Sequence, residues 1–264
     1  MGSFPQSIVH YLPVTDHDER WGIVCTTAGY QNVPPGSPYP LTQHPDSYSF
    51  TRSRGRVLGE YQLLYIVSGQ GEFRSASSPA APVKAGTVVM LFPDEWHTYA
   101  PDPETGWEEW WVGFRGENID RRVAEGFFSP KTPLLHIGHS AGIVSCYQEI
   151  IRSAEEERKG FQQLVTGIVL HLLGSVLFKR DNLQYLDNPI VEKINRAREM
   201  MRRHIGDNLP PEEIARRLNI GYTWFRRTFR AYVGIAPAQY QLQLRHNKAR
   251  ELLTTTDRTV SEIA

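Results

Sequence analysis

Apolar positions along the chain fall into two regimes that meet near residue 136. Before it, short runs rich in Tyr, Val, Ile, Phe and Trp are separated by Gly/Pro punctuation: Tyr61–Val67, Glu72–Arg74, Gly86–Phe92, Trp96–Tyr99 and Trp107–Phe114. Such runs predict strands, and Ser68-Gly69-Gln70-Gly71 predicts a turn between the first two. Many short strands with regular turns predict a small barrel or jelly roll. Along Trp107–Phe114 the two-residue period puts Trp107, Glu109 and Trp111 on one face and Glu108, Trp110 and Val112 on the other.

From Ser140 the period lengthens. Ile143, Tyr147, Ile150 and Ile151 recur at helical spacing, and after Gly160 a second helix carries Leu164, Ile168, Leu172 and Val176 with Val165, Val169, Leu173 and Leu177 beside them. A helix apolar around so much of its circumference buries more than one face, within its own domain or against another copy of the chain. Lys179 to Asn188 is polar, and Asn188-Pro189 opens a wholly helical segment.

Composition adds bounds. The chain has 264 residues, 40% apolar, which fits two globular domains and excludes a mainly disordered chain. Its longest apolar stretch, Ile168–Phe178, is broken by His171 and falls short of the roughly 18 residues of a spanning helix, so no membrane is expected. Met1 to Gln6 lacks an export or lipid signal, and Cys25 and Cys146 fit small buried residues in a reducing, cytoplasmic setting. Charge changes the picture more. Residues 1–188 hold 15 basic and 21 acidic groups, and residues 189–264 hold 14 and 8. A net of -6 beside a net of +6 marks a carboxy-terminal segment suited to a polyanion.

Within that segment Ile190–His204 predicts one helix, Leu209-Pro210-Pro211-Glu212-Glu213 opens a short second that closes at Leu218-Asn219, and Tyr222 to about Val233 forms a third. Ala215 allows close helix approach, Asn219 takes a left-handed turn, and Phe225 fills the angle, which is helix-turn-helix spacing. Phe225 and Phe229 point inward and leave Thr223, Arg226, Arg227 and Arg230 outward. Arg226, then Thr223, is placed to read base edges, Arg227 and Arg230 to meet phosphates, and Trp224 to pack or stack at the groove wall. The plainer alternative is that these arginines only solvate an exposed face.

These residues resemble the AraC/XylS-type DNA-binding domain over 190–264: the stretch Leu209–Gly234, the opening Ala236-Pro237-Ala238-Gln239-Tyr240, and the run Arg245–Leu253 all follow its pattern. Thr259 to Ala264 resembles the start of that family's second helix-turn-helix, with Glu262-Ile263-Ala264 echoing Glu213-Ile214-Ala215. The chain is therefore expected to stop inside that second unit. The family commonly carries a cupin-like sensor barrel, and residues 44–116 resemble it through Arg56, Glu60-Tyr61-Gln62-Leu63, Ser68-Gly69-Gln70-Gly71, Leu91 to His97 and Trp107 to Phe114.

Metal-dependent cupins need two histidines one residue apart plus further ligands. Gly59–Phe73 holds no histidine, and His44, His136, His139 and His171 lack ligand spacing, so neither metal, cofactor nor catalysis is expected. A tryptophan face beside a carboxylate suits a sugar, and resemblance to arabinose-type sensors makes Arg56, His97, Tyr99, Glu109 and Trp111 the pocket candidates. Alternatively the tryptophans are barrel core, Glu109 an exposed edge residue and Arg56 a surface ion-pair partner.

The fold class expected is α+β multidomain: a cupin-like β-barrel over 1–135, a helical linker or dimerisation segment over 136–188, and an all-α helix-turn-helix domain over 189–264. The resemblance implies a cytoplasmic, ligand-responsive transcriptional regulator, an activator rather than a repressor, probing promoter DNA as a homodimer with a sugar as effector and RNA polymerase as a further partner. The rivals are a regulator that dimerises but holds DNA poorly, and a cupin-type small-molecule enzyme.

Overall fold

The computed structural model describes residues 7–40, 54–185, 188–207 and 209–263. Of the positions discussed above, Met1 to Gln6, residues 44–53 with His44, residues 186–187 and Ala264 lie outside these. The chain divides into two compact units, Met1–Leu183 and Gln184–Ala264.

Among the described residues of the first unit eight strands build the barrel: β1 (Ser7–Tyr11), β2 (Val24–Val33), β3 (Tyr61–Ser75), β4 (Ala81–Lys84), β5 (Thr87–Leu91), β6 (His97–Pro101), β7 (Trp107–Arg115) and β8 (Leu134–His136). The main path runs β1-β2-β7-β3-β5-β8, and β4 and β6 join β3. This is a cupin-like barrel, and it corrects one expectation. Ser68–Gly71 is not a turn: β3 continues through it, pairing with β5 and β7 over its first half and with β4 and β6 over its second. The register slips between Ile66 and Ser68, a bulge that bends the strand from one sheet into the other. Gly69 makes the bend feasible, with φ +79° and a virtual Cβ only 2.1 Å from the Gly106 carbonyl oxygen.

Strand periodicity divides the buried residues into two cores. Leu64, Ile66, Val89, Leu91, Trp107 and Trp111 face the barrel interior. Leu63, Tyr65, Val88, Met90, Trp110, Val112 and Phe114 face outward, beneath the helices. Both faces are covered, which is why β3 and β5 read as continuous apolar runs rather than alternating ones. The covering helices are α3 (Ala141–Glu156) and α4 (Phe161–Asn182); α1 (Asp16–Glu19) and α2 (Glu117–Ala124) are short. The helices of 136–188 share this core, through Ile143, Tyr147, Ile150, Ile151, Val165, Val169, Leu172 and Val176. Tyr147 donates from its hydroxyl to the Leu63 carbonyl at 3.0 Å, and the Ser140 side chain caps α3. By length and composition α4 could cross a membrane, a feature that the run Ile168–Phe178 alone does not disclose, but one face of it is committed to the barrel. Its opposite face leaves Leu164 and Phe178 exposed.

The second unit contains α5 (Pro189–Arg203), α6 (Pro211–Arg217), α7 (Tyr222–Val233), α8 (Pro237–Thr255) and α9 (Val260–Ile263). Asn188 caps α5 through its side chain, with Pro189 in the first turn. Ile194, Ala197, Met201, Ile214, Ala215, Phe225 and Phe229 form the core. Asn219 takes the left-handed conformation at φ +53°, the Ile220 amide donates to the Ala215 carbonyl at 3.1 Å, and Gly234 ends α7 at φ +89°.

Candidate ligand pocket and nucleic-acid interface

β2, β7 and the strand-like approach to β3 bring polar side chains into the barrel interior. Arg56 is fixed first through its backbone, which exchanges hydrogen bonds with His97 at 2.9 and 3.0 Å. Its guanidinium then donates to the Tyr99 hydroxyl at 2.7 Å, to His97 Nε2 at 3.2 Å and to Gln62 Oε1 at 3.4 Å. His97 donates from Nδ1 to the Glu95 carbonyl at 3.0 Å. With Nε2 accepting, the ring is the neutral tautomer. Burial, then the Arg56 charge, depresses its pKa to about 4.

Glu109 is 3% exposed. Its Oε1 accepts from the Tyr39 hydroxyl at 3.0 Å, whereas Oε2, and the indole nitrogen of Trp107 two residues away, make no well-formed hydrogen bond. Burial raises the Glu109 carboxyl to about 7, against the lowering influence of Tyr39, Arg56 and the Trp107 indole. The Trp111 ring lies over Gly29, where a Cβ would come within 2.1 Å of it.

Arg56, Tyr99, Glu109 and Trp111 thus converge on one cavity. His97 does not line it; it sits behind Arg56 as a support. The readings of Glu109 as an exposed edge residue and Arg56 as a surface ion-pair partner do not hold, while Trp107 and Trp110 are core, one on each face of β7. Val9, Tyr11, Thr27, Gln31, Tyr39, Pro40 and Gln62 complete the lining. None was named as a pocket residue from sequence, although Gln62 stands in the run that carries the barrel resemblance; the signal available was that Thr27, Gln31 and Gln62 are polar within apolar strands. The space left is about 20 Å3, room for about one water.

No group of three or more His, Cys, Asp or Glu side chains among the described residues is arranged to hold a metal ion. His97, the one histidine at the site among the described residues, has both ring nitrogens engaged.

In the second unit α7 presents Thr223, Arg226, Arg227 and Arg230 to solvent along one shallow groove. Trp224 is half-buried against the core, so it packs rather than projects. Neighbouring helices neutralise their own arginines: Arg196 with Glu192, Arg203 with Glu199, and Arg216 and Arg217 with Glu213. Arg226, Arg227 and Arg230 join none of the salt bridges among the described residues. The helix that follows the turn thus presents three arginines outside those pairs, on the element whose geometry enters a major groove.

Two known families match the chain: the AraC-like ligand-binding domain over residues 35–173, and a helix-turn-helix domain over residues 214–264. Among curated relatives, the Msm operon regulatory protein of Streptococcus mutans is 22% identical over 79% of this chain and 75% of its own. The raffinose operon transcriptional regulatory protein RafR of Pediococcus pentosaceus is 22% identical over 82% and 79%. The MmsAB operon regulatory protein of Pseudomonas aeruginosa is 25% identical over 77% and 66%. With a cupin-like ligand-binding barrel ahead of a helix-turn-helix domain, the chain belongs to the AraC family of transcriptional regulators.

Proposed function

We propose that this regulator answers to a carbohydrate bound among Arg56, Glu109 and Trp111, and that α7 then reads promoter DNA, with Arg226 and Thr223 on base edges and Arg227 and Arg230 on phosphates. The carrying observation is the pair of buried polar atoms on one face of β7, Glu109 Oε2 and Trp107 Nε1, which meet no well-formed hydrogen-bond partner and engage each other only loosely. A carboxyl and an N–H held this loosely side by side suit a hydroxyl, which both donates and accepts. The Trp111 ring beside them offers the flat apolar surface that the C–H face of a pyranose covers. The raffinose regulator among the relatives supports the same class. Because little space remains, a sugar ring enters only as lining side chains withdraw, and the binding energy must offset that rearrangement.

The protein acts as a cytoplasmic homodimer, an activator in contact with RNA polymerase, and is not an enzyme. The exposed apolar face of α4, with Leu164 and Phe178, supports self-association. A thermal-shift screen of the whole chain against raffinose, its component monosaccharides and non-sugar metabolites tests the effector class. Stabilisation by a sugar that is lost in Glu109→Gln is expected; stabilisation by a non-sugar alone would overturn it.

A further inference from the structure

One buried side chain outside the pocket has an unusual set of partners. Gln162, in the first turn of α4, is 2% exposed. It accepts from the Cys25 amide at 3.0 Å and donates to the Cys25 carbonyl at 2.9 Å and to the Pro13 carbonyl at 2.9 Å. Its carboxamide does what a neighbouring strand would do. The site exists because pairing between β1 and β2 ends at Tyr11 and Thr27, with the Leu12 amide on the Thr26 carbonyl as the last rung. Cys25 is thereby left with an open edge, and only a side-chain amide presents a peptide's donor and acceptor together.

Immediately beside this grip β2 is irregular. Its register against β7 slips between Cys25 and Thr27, so Thr26 is the extra residue of a bulge. Glu60, 5% exposed, holds that bulge from the other side. It accepts from the Thr26 hydroxyl, from Thr27 Oγ1 at 3.3 Å and from Gln62 Nε2 at 2.8 Å. Gly113 leaves room for this, since a Cβ there would lie 2.4 Å from Glu60 Oε1. Gln62 in turn accepts from Arg56 on the pocket wall.

We propose that Gln162 is a positioning residue: through the Glu60-held bulge at Thr26 it ties the arrangement of the Arg56–Gln62 pocket wall to the seating of helix α4. The steps are hydrogen bonds between buried or half-buried groups, joined through the Cys25–Thr26 peptide, and the weakest element of the chain is the bulge, where one extra residue can shift without breaking the flanking ladder. α4 is the last long helix of the sensor unit, so a change in its seating is a change in what the rest of the chain receives from the barrel. This inference rests on reading the barrel cavity as the effector pocket, but its test needs neither effector nor DNA.

The experiment follows backbone amide exchange in the whole chain without ligand. Glu60→Gln perturbs the pocket end and should speed exchange by about tenfold at Cys25 and across residues 161–168, leaving β5 unchanged. Thr26→Val, a smaller change, should do the same to a lesser degree and serves if Glu60→Gln fails to fold. Coupling is reciprocal, so Gln162→Met should move the Arg56 Nε–H resonance on the far side of the bulge. An α4 that does not respond to either pocket-side change, β5 exchange that rises as much as α4, or an unmoved Arg56 resonance in Gln162→Met would each overturn the proposal. A failed sugar screen with this exchange pattern intact would count against the effector class alone.

Discussion

Glu109 and His97 sit in the same barrel and have opposite proton linkage. Folded Glu109 keeps its proton to about pH 7, whereas the free carboxyl releases it near 4.5. Its contribution to stability is complete below 4.5 and is lost as pH rises through 7. His97, held to about 4 from 6.5, contributes fully above 6.5 and loses that contribution as pH falls through 4. Chemical denaturation between pH 4.5 and 7 should therefore show Glu109→Gln losing more stability on acidification than the parent, by on the order of 3 kcal/mol at full effect. A parallel pH profile for parent and variant would contradict this. Gly29 offers a second test. Gly29→Ala drives a methyl into the Trp111 ring and towards the Ile8 carbonyl, so it should cost about 1–3 kcal/mol and weaken any sugar-induced thermal shift, both read in one melting series.

At the scale of elements, the helix-turn-helix was the most legible part of the chain because its constraints are local. Ala215, Asn219 and Phe225 fall within eleven residues, and each is dictated by the angle between two helices. The two-residue period of β7 was equally legible, since it assigned Trp107 and Trp111 to one core and Trp110 to the other. The lining residues Thr27 and Gln62 were not, because they come together only through β2–β7–β3 pairing, and Tyr39 reaches the pocket from the segment after β2. Nor was the passage of β3 through Ser68–Gly71, where two glycines resemble a turn and only the partners on each side reveal a continuous strand. For α7, Arg226→Ala should lower affinity for a specific promoter site by about 1–3 kcal/mol and non-specific affinity much less. Arg227→Ala should weaken both alike and reduce the salt dependence by one phosphate contact. Titrations of a specific and a scrambled duplex at two salt concentrations separate the two roles, and equal losses for Arg226→Ala would make it a phosphate contact.

At the scale of the whole molecule, charge and apolar surface are divided between the two units. Acidic excess and the exposed α4 face belong to the sensor, and the basic excess, with the exposed Arg226, Arg227 and Arg230 of α7, to the DNA-binding unit. If α4 joins two copies, Phe178→Asp should convert a dimer to monomer in sedimentation while leaving the melting temperature of the chain nearly unchanged, because Phe178 is 69% exposed. An unaltered sedimentation profile would move the interface elsewhere. The sensor unit has one further property that follows from β3. A single strand is stitched into both halves of the barrel, so there is no seam along which one half could peel away while the other stays intact. Damage anywhere along Tyr61–Ser75 is felt by the pocket and by the helix-covered wall together, and the unit gives way as a whole.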